Sequence, residues 1–178
     1  MKIEYTLKQE DYLEHQLFAA SISPRVNKQR IRAKFFIPAL MLVVGVFMCV
    51  AEKNFLPMIG FICISLLWFF LYPFRDRQRY KTHYTKYVKE TFGSQMERQT
   101  VVEFEGDFVS ARSGESESRM HVNEINEIYE LKHIFLLRLK TGNFILPKSG
   151  MENLGSFLRE LAVKYGIPFS ERADWKWK

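Results

Sequence analysis

Two uncharged apolar runs, Phe35 to Ala51 and Phe55 to Phe74, are parted only by Glu52-Lys53-Asn54. The runs are 17 and 20 residues long, and roughly 20 apolar residues in a helix cross a hydrocarbon core of about 30 Å. Backbone in lipid must satisfy its own hydrogen bonds, and a three-residue link permits only a tight antiparallel pair, so the pattern predicts a transmembrane helical hairpin. Pro38 and Pro57 are placed in the opening turns of the two spans, where a missing N–H costs little, and Pro73 at the close of the second. Gly45 and Gly60 are candidates for close approach of the helices, although there is no GxxxG spacing. Cys49 and Cys63 fall inside the runs and read as small apolar residues. The first run begins after some 34 residues, the last ten of which carry five cations, and has no small-residue cleavage site, so a cleaved signal peptide is not expected.

Charge is distributed as unevenly as hydropathy. Residues 1–81 carry 12 Lys/Arg against 6 Asp/Glu, whereas residues 82–178 carry 14 against 14. The whole net charge of +6 therefore belongs to the segment around the apolar runs. Arg25, Lys28, Arg30, Arg32 and Lys34 precede the first run; Arg75, Arg77, Arg79 and Lys81 follow the second, with only Asp76 opposing. Cations close to span ends are retained on the cytoplasmic side, so both termini are expected there. Nucleic-acid binding needs a basic stripe on a folded domain, and the distal segment is formally neutral.

Ile3-Glu4-Tyr5-Thr6-Leu7 alternates like a strand. Thr6 and Gln9 suit a capping box for a helix to about Ile22, with Tyr12, Leu13, Gln16, Leu17 and Ala20 on one face and Pro24 as its end. Beyond Phe74, the spacing of Tyr80, Tyr84, Tyr87 and Val88 predicts that the second span continues as a helix, its tyrosine face either packed in a core or laid on headgroups. From Gln99 the period becomes two, predicting strands at 100–104, 108–112, 117–121, 127–131, 134–139 and 143–147. Turns are expected at Gly106-Asp107, Ser113-Gly114, Lys132-His133 and Thr141-Gly142, with an irregular crossing at Asn123 to Asn126. A final helix from about Met151 to Tyr165 buries Leu154, Phe157, Leu158, Leu161 and Ala162 and stops at Gly166-Ile167-Pro168. The fold class is an α+β membrane protein: a two-helix hairpin joined to a small curled antiparallel sheet or split barrel closed by a helix. Four segments are expected: 1–34, the hairpin 35–74, a helical extension 75–98, and a domain 99–178.

Val122-Asn123-Glu124-Ile125, Tyr129, Phe135-Leu136-Leu137-Arg138-Leu139 and Phe144-Ile145-Leu146-Pro147-Lys148, preceded by two spans and by Ile3-Glu4-Tyr5 with Glu10-Asp11-Tyr12-Leu13, resemble the YcxB-like family of bacterial membrane proteins. The resemblance implies a carboxy-terminal domain like a bacterial pleckstrin-homology domain, a bent barrel capped by a helix, in the inner membrane of a bacterium. By analogy with similar bacterial domains it also suggests self-protection against bacteriocins.

Chemistry-bearing residues do not converge. His15, His83, His121 and His133 lie on different elements without metal-ligand spacing, Ser113 to Ser118 reads as an exposed hairpin tip, and Ser149-Gly150 lacks the approach of a phosphate loop. No catalytic, cofactor or metal site is expected. The candidate contacts are with the membrane interface: the two basic flanks named above, Trp68 and Tyr72 as part of an aromatic belt, and Trp175 and Trp177 in the closing Trp-Lys-Trp-Lys. Topology alone is the favoured reading of the basic flanks, and the closing residues can equally be a frayed tail. The expected function is non-enzymatic protein interaction or envelope sensing from the membrane, with anionic-lipid binding as the alternative. Expected partners are the lipid bilayer and a protein, with self-association left open and nucleic acid excluded.

Overall fold

The computed structural model describes residues 1–93, 96, 98–114, 116–140 and 142–178. Glu115 and Thr141, expected in hairpin turns, lie outside the described residues. In chain order the elements are β1 (Lys2–Thr6), α1 (Gln9–Ile22), α2 (Pro24–Glu52), α3 (Leu56–Phe92), β2 (Gln99–Glu105), β3 (Phe108–Ser113), β4 (Ser116–His121), a 3₁₀ turn (Val122–Glu124), β5 (Ile125–Glu130), β6 (Ile134–Leu139), β7 (Asn143–Pro147), α4 (Leu154–Tyr165) and β8 (Phe169–Glu171). Packing groups them into two compact units, residues 1–16 with 85–176, and residues 17–84 with 177–178.

The first unit is an α+β domain of two four-stranded sheets, β1-β2-β3-β4 and β7-β6-β5-β8. Every pairing is antiparallel except β5 with β8, which is parallel. Alternation in the strands sends Ile3 and Tyr5, Val102 and Phe104, and Val109 and Ala111 inward from the first sheet, where they meet Ile128, Leu137 and Leu146 from the second. The Tyr5 hydroxyl crosses between the sheets to donate to the Ile145 carbonyl at 3.0 Å. Leu154, Leu158, Leu161 and Ala162 of α4 close this core, which is the face expected from the sequence. Gly166 ends α4 at φ +65°, where an L side chain would be strained; the N–H of Ile167 then reaches the Ala162 carbonyl at 2.9 Å, as in a Schellman cap.

Local chemistry places two boundaries differently from the sequence reading. α1 begins at Gln9, so Gln9 cannot be the third residue of a capping box; instead Asp11 Oδ2 accepts from the Lys8 N–H at 2.8 Å. Pro24 opens α2 instead of merely ending α1, because Ser23 is an N-cap and a proline in the first turn forfeits no helical bond. The basic segment is consequently helical, and Pro38 lies well inside α2, just as Pro73 lies inside α3; only Pro57 occupies an opening turn. The irregular crossing is shorter than expected. His121 Nδ1 accepts from the Asn123 N–H and Glu124 from the His121 N–H, a reciprocal cap that confines the turn to three residues.

In the second unit α2 and α3 form an antiparallel pair. Both are long and apolar enough to cross a membrane by length and composition, and only 6% of each apolar window is buried. The pair is close at Gly45, where an added Cβ would stand 2.9 Å from the Phe61 Cβ, while Gly60 faces open space. Of the two glycines singled out in the sequence, one therefore permits the approach. Gly45→Ala is expected to destabilise the pair by about 1–2 kcal/mol, because the Cβ of Phe61 moves only with its backbone, and Gly60→Ala to be neutral or slightly stabilising. Thermal melting of the detergent-solubilised chain checks both.

Candidate functional site

The polar ends of α2 and α3 converge on one ion pair. Arg30 Nε donates to Asp76 Oδ2 at 2.6 Å, with the Asp76 side chain 6% exposed. A carboxylate so far from water is tolerable only when paired and hydrogen-bonded. Its second oxygen lies 3.2 Å from the Tyr72 hydroxyl, whose single proton is shared with the Arg30 carbonyl oxygen at 3.4 Å. The guanidinium also donates through Nη2 to the Lys178 backbone oxygen at 2.8 Å and lies 4.7 Å from the centroid of the Trp177 ring and 5.6 Å from that of Tyr80. Trp177 is buried, and its indole N–H donates to the Arg77 carbonyl at 3.2 Å. Cation, carboxylate and two aromatic faces thus form a closed set, in which attraction between the guanidinium and the ring quadrupoles adds to the ion pair.

Beside this set lies a cleft of about 330 Å³ between α2 and α3. Gln29, Arg30 and Ala33 line one wall; Asp76, Arg79 and His83 are on the other. Four further basic residues, Arg25, Lys28, Arg32 and Arg75, are exposed on the same helices, as are Arg77 and Lys81. Lys34 is partly covered, its ammonium 4.2 Å from the Phe69 ring centroid.

The residues picked from the sequence therefore separate into distinct roles. Arg30, Tyr72 and Trp177 are joined in one contact network; Arg79 borders the cleft; Arg25, Lys28, Arg32, Arg75, Arg77 and Lys81 are outward cations. Trp68 is half-buried with its indole nitrogen unpartnered, 5.7 Å from the Tyr72 ring. Trp175 belongs to the first unit and not to this network. Asp76 is a residue of this network that the sequence candidates did not include. It showed only as a counter-charge within Arg75-Asp76-Arg77, yet a lone carboxylate at the end of an apolar run was itself a signal that a partner cation had to be near.

The first unit holds two polar clusters of its own. Glu130 accepts from Lys148 Nζ and Arg159 Nη2, each at 2.8 Å, and Arg159 reaches Glu171 at 2.9 Å, so one network ties β5, α4, β8 and the residue that follows β7. Burial would raise the Glu130 carboxyl, but Lys148 and Arg159 outweigh it and hold it below the usual range. On α1, Glu14 accepts from the backbone N–H groups of Lys132 and His133 at 3.0 and 3.2 Å, fastening the helix to the β5–β6 turn. The neighbouring His15 contacts Asn143 through Nε2 at 3.0 Å, while its Nδ1 is buried without a partner. Burial lowers the His15 pKa to about 4. The folded chain thus binds this proton less readily than the unfolded chain, so stability is fully present above about pH 6.5 and is lost as the pH falls towards 4. His15→Gln is expected to flatten the loss between pH 6.5 and 4.5, a window above that of Glu130; denaturant melts across this range provide the check. Among the described residues, no three of His, Cys, Asp and Glu converge as metal ligands.

The family model for YcxB-like protein matches residues 104–161. That stretch runs from the end of β2 through most of α4, about a third of the chain. It contains Val122 to Ile125, Tyr129, Phe135 to Leu139 and Phe144 to Lys148, the segments that carry the resemblance; β1 and both apolar helices lie outside it. Within the YcxB-like stretch Val122, Ile128, Leu137 and Leu146 are all fully buried, so the matched pattern is a packing pattern. No curated protein and no solved structure matches the chain significantly.

Proposed function

We propose that this chain is a two-span protein of the bacterial inner membrane, whose hairpin carries a pleckstrin-like split-barrel domain on the cytoplasmic face to bind a protein partner without catalysing a reaction. One observation carries the reading. β1 and β2 are hydrogen-bonded neighbours, Lys2 opposite Glu103 and Thr6 opposite Gln99. Residues 2–6 and 99–105 therefore share one side of any bilayer, and the chain between them crosses an even number of times; it contains two apolar runs. Nearly bare flanks on α2 and α3 support the same reading, since so much exposed apolar helix needs hydrocarbon or a partner to cover it. The exposed cations beyond Phe74 and before Phe35 supply the orientation, and the neutral Glu52-Lys53 turn is the end that is translocated.

A background in which Cys49 and Cys63 are replaced by alanine allows single cysteines to be placed by Lys2→Cys, Lys53→Cys and Lys176→Cys. With a membrane-impermeant maleimide on intact spheroplasts, Lys53→Cys should label at once and the other two only after permeabilisation. Equal labelling of Lys2→Cys and Lys53→Cys sinks the hairpin. Crosslinking before detergent extraction should then recover a stoichiometric protein, and a chain that is solitary under every growth condition would count against partner binding. A toxin or bacteriocin challenge of cells with and without the chain tests the narrower self-protection reading.

A further inference from the structure

We infer that the cleft beside Arg30 and Asp76 binds the phosphate of an anionic lipid headgroup, a reading that rests on the membrane-anchored hairpin proposed above. Its depth is the first argument. From the end of the apolar run at Phe74, Asp76 is two residues and Arg79 five residues further along α3. At a helical rise of about 1.5 Å per residue these are about 3 and 7.5 Å. The headgroup zone on each side of the hydrocarbon is about 5–7.5 Å thick, so the cleft opens where acyl chains end and phosphates begin.

Charge is the second argument. The Asp76 carboxylate also lines the cleft, but its oxygens are engaged by Arg30 and Tyr72, and it is nearly inaccessible. Arg79 is exposed at the opposite wall beside His83, with the Gln29 side chain across from it on α2. The two arginines against one carboxylate leave a positive excess facing a space of about 330 Å³, large enough for a phosphodiester headgroup and short of a folded peptide. Basic pockets between helices at this depth are suited to anionic headgroups, each cation contributing about 1 kcal/mol. Arg30, already held by Asp76, Lys178 and Trp177, is a positioning residue that sets the wall; Arg79 is the group that meets the ligand.

The full chain, solubilised in a neutral detergent, is titrated with phosphatidylglycerol or phosphatidylethanolamine, and bound lipid is counted by native mass spectrometry. Phosphatidylglycerol should be retained in preference to phosphatidylethanolamine. Arg79→Ala should lower its affinity roughly fivefold, the ratio equivalent to ~1 kcal/mol, and Arg77→Ala, an exposed cation outside the cleft, should change it by less than about twofold. Equal losses in the two variants, or no preference for the anionic lipid, overturn the site in favour of diffuse surface charge. Displacement of the lipid by inorganic phosphate at equal concentration would overturn a lipid source and assign the cleft to a soluble phosphate. Maleimide labelling at Lys53→Cys in the same variants separates the two readings: if labelling holds and lipid retention fails, the headgroup site alone falls.

Discussion

Ile3→Asp is expected to unfold the domain or to destabilise it by about 4 kcal/mol or more. Ile3 is 5% exposed, opposite Val102 in the β1–β2 ladder and within the core shared by both sheets and α4. Among the described residues the core is apolar and offers a carboxylate there no cation, so it must either be protonated at a cost or drag β1 off the sheet. Losing β1 also uncovers Tyr5 and its bond to Ile145, and leaves β2 as an edge. The next residue provides the control: Glu4 points outward, half exposed, with Lys2 and Gln99 as surface partners. Glu4→Ala should shift stability by no more than about 0.5 kcal/mol. Limited proteolysis of the full chain in detergent, followed with time, distinguishes the two variants because backbone paired in a sheet resists cleavage that unpaired strands do not.

Asp76→Ala should cost about 2–3 kcal/mol, somewhat less than the roughly 3–5 typical of a fully buried pair. The discount has a structural cause: the Arg30 side chain keeps 23% exposure and retains the Trp177 ring and the Lys178 oxygen when Asp76 is gone. What it loses is the carboxylate bonded to it, while the Tyr72 hydroxyl loses one of its two acceptors. Thermal melting read through tryptophan emission is a direct probe, since Trp177 lies on the guanidinium. The pair is a tie and not a requirement for folding, so Arg30→Met combined with Asp76→Leu should recover most of the loss. A double variant as unstable as Asp76→Ala alone would show that the charge itself is needed.

The elements that the sequence disclosed are those whose pattern is local. Six strands and the buried face of α4 follow from alternation and helical spacing; the strand ends lie within two residues of expectation, and α4 begins at Leu154, three residues after the expected Met151. The helical extension beyond Phe74 was visible because no Gly or Pro interrupts it before Gly93. Val88 from that extension is fully buried, yet Tyr87 beside it is 41% exposed, so the tyrosine spacing marked a helix better than it marked a single face. β8 was hidden because three residues after Gly166-Ile167-Pro168 carry no period, and only parallel pairing with β5 makes them a strand. The Arg30–Asp76 tie was hidden for a different reason. Forty-six positions separate the two residues, and nothing in either flank states which of several cations the single carboxylate selects. The sequence equally leaves Trp177 as an interface anchor or part of a frayed tail, because nothing local pairs its ring with Arg30.

The placement of β1 also has a consequence in time. Thr6 pairs with Gln99, 93 positions later, and at about 5–20 residues per second the ribosome needs about 5–20 s to supply that partner. During this interval both apolar runs are synthesised while the strand has no sheet to join. Its outward residues, Lys2, Glu4 and Thr6, are polar, which limits what an unpaired segment of this length can stick to. β1 must therefore wait for β2, and its docking can occur only after the whole hairpin has been translated.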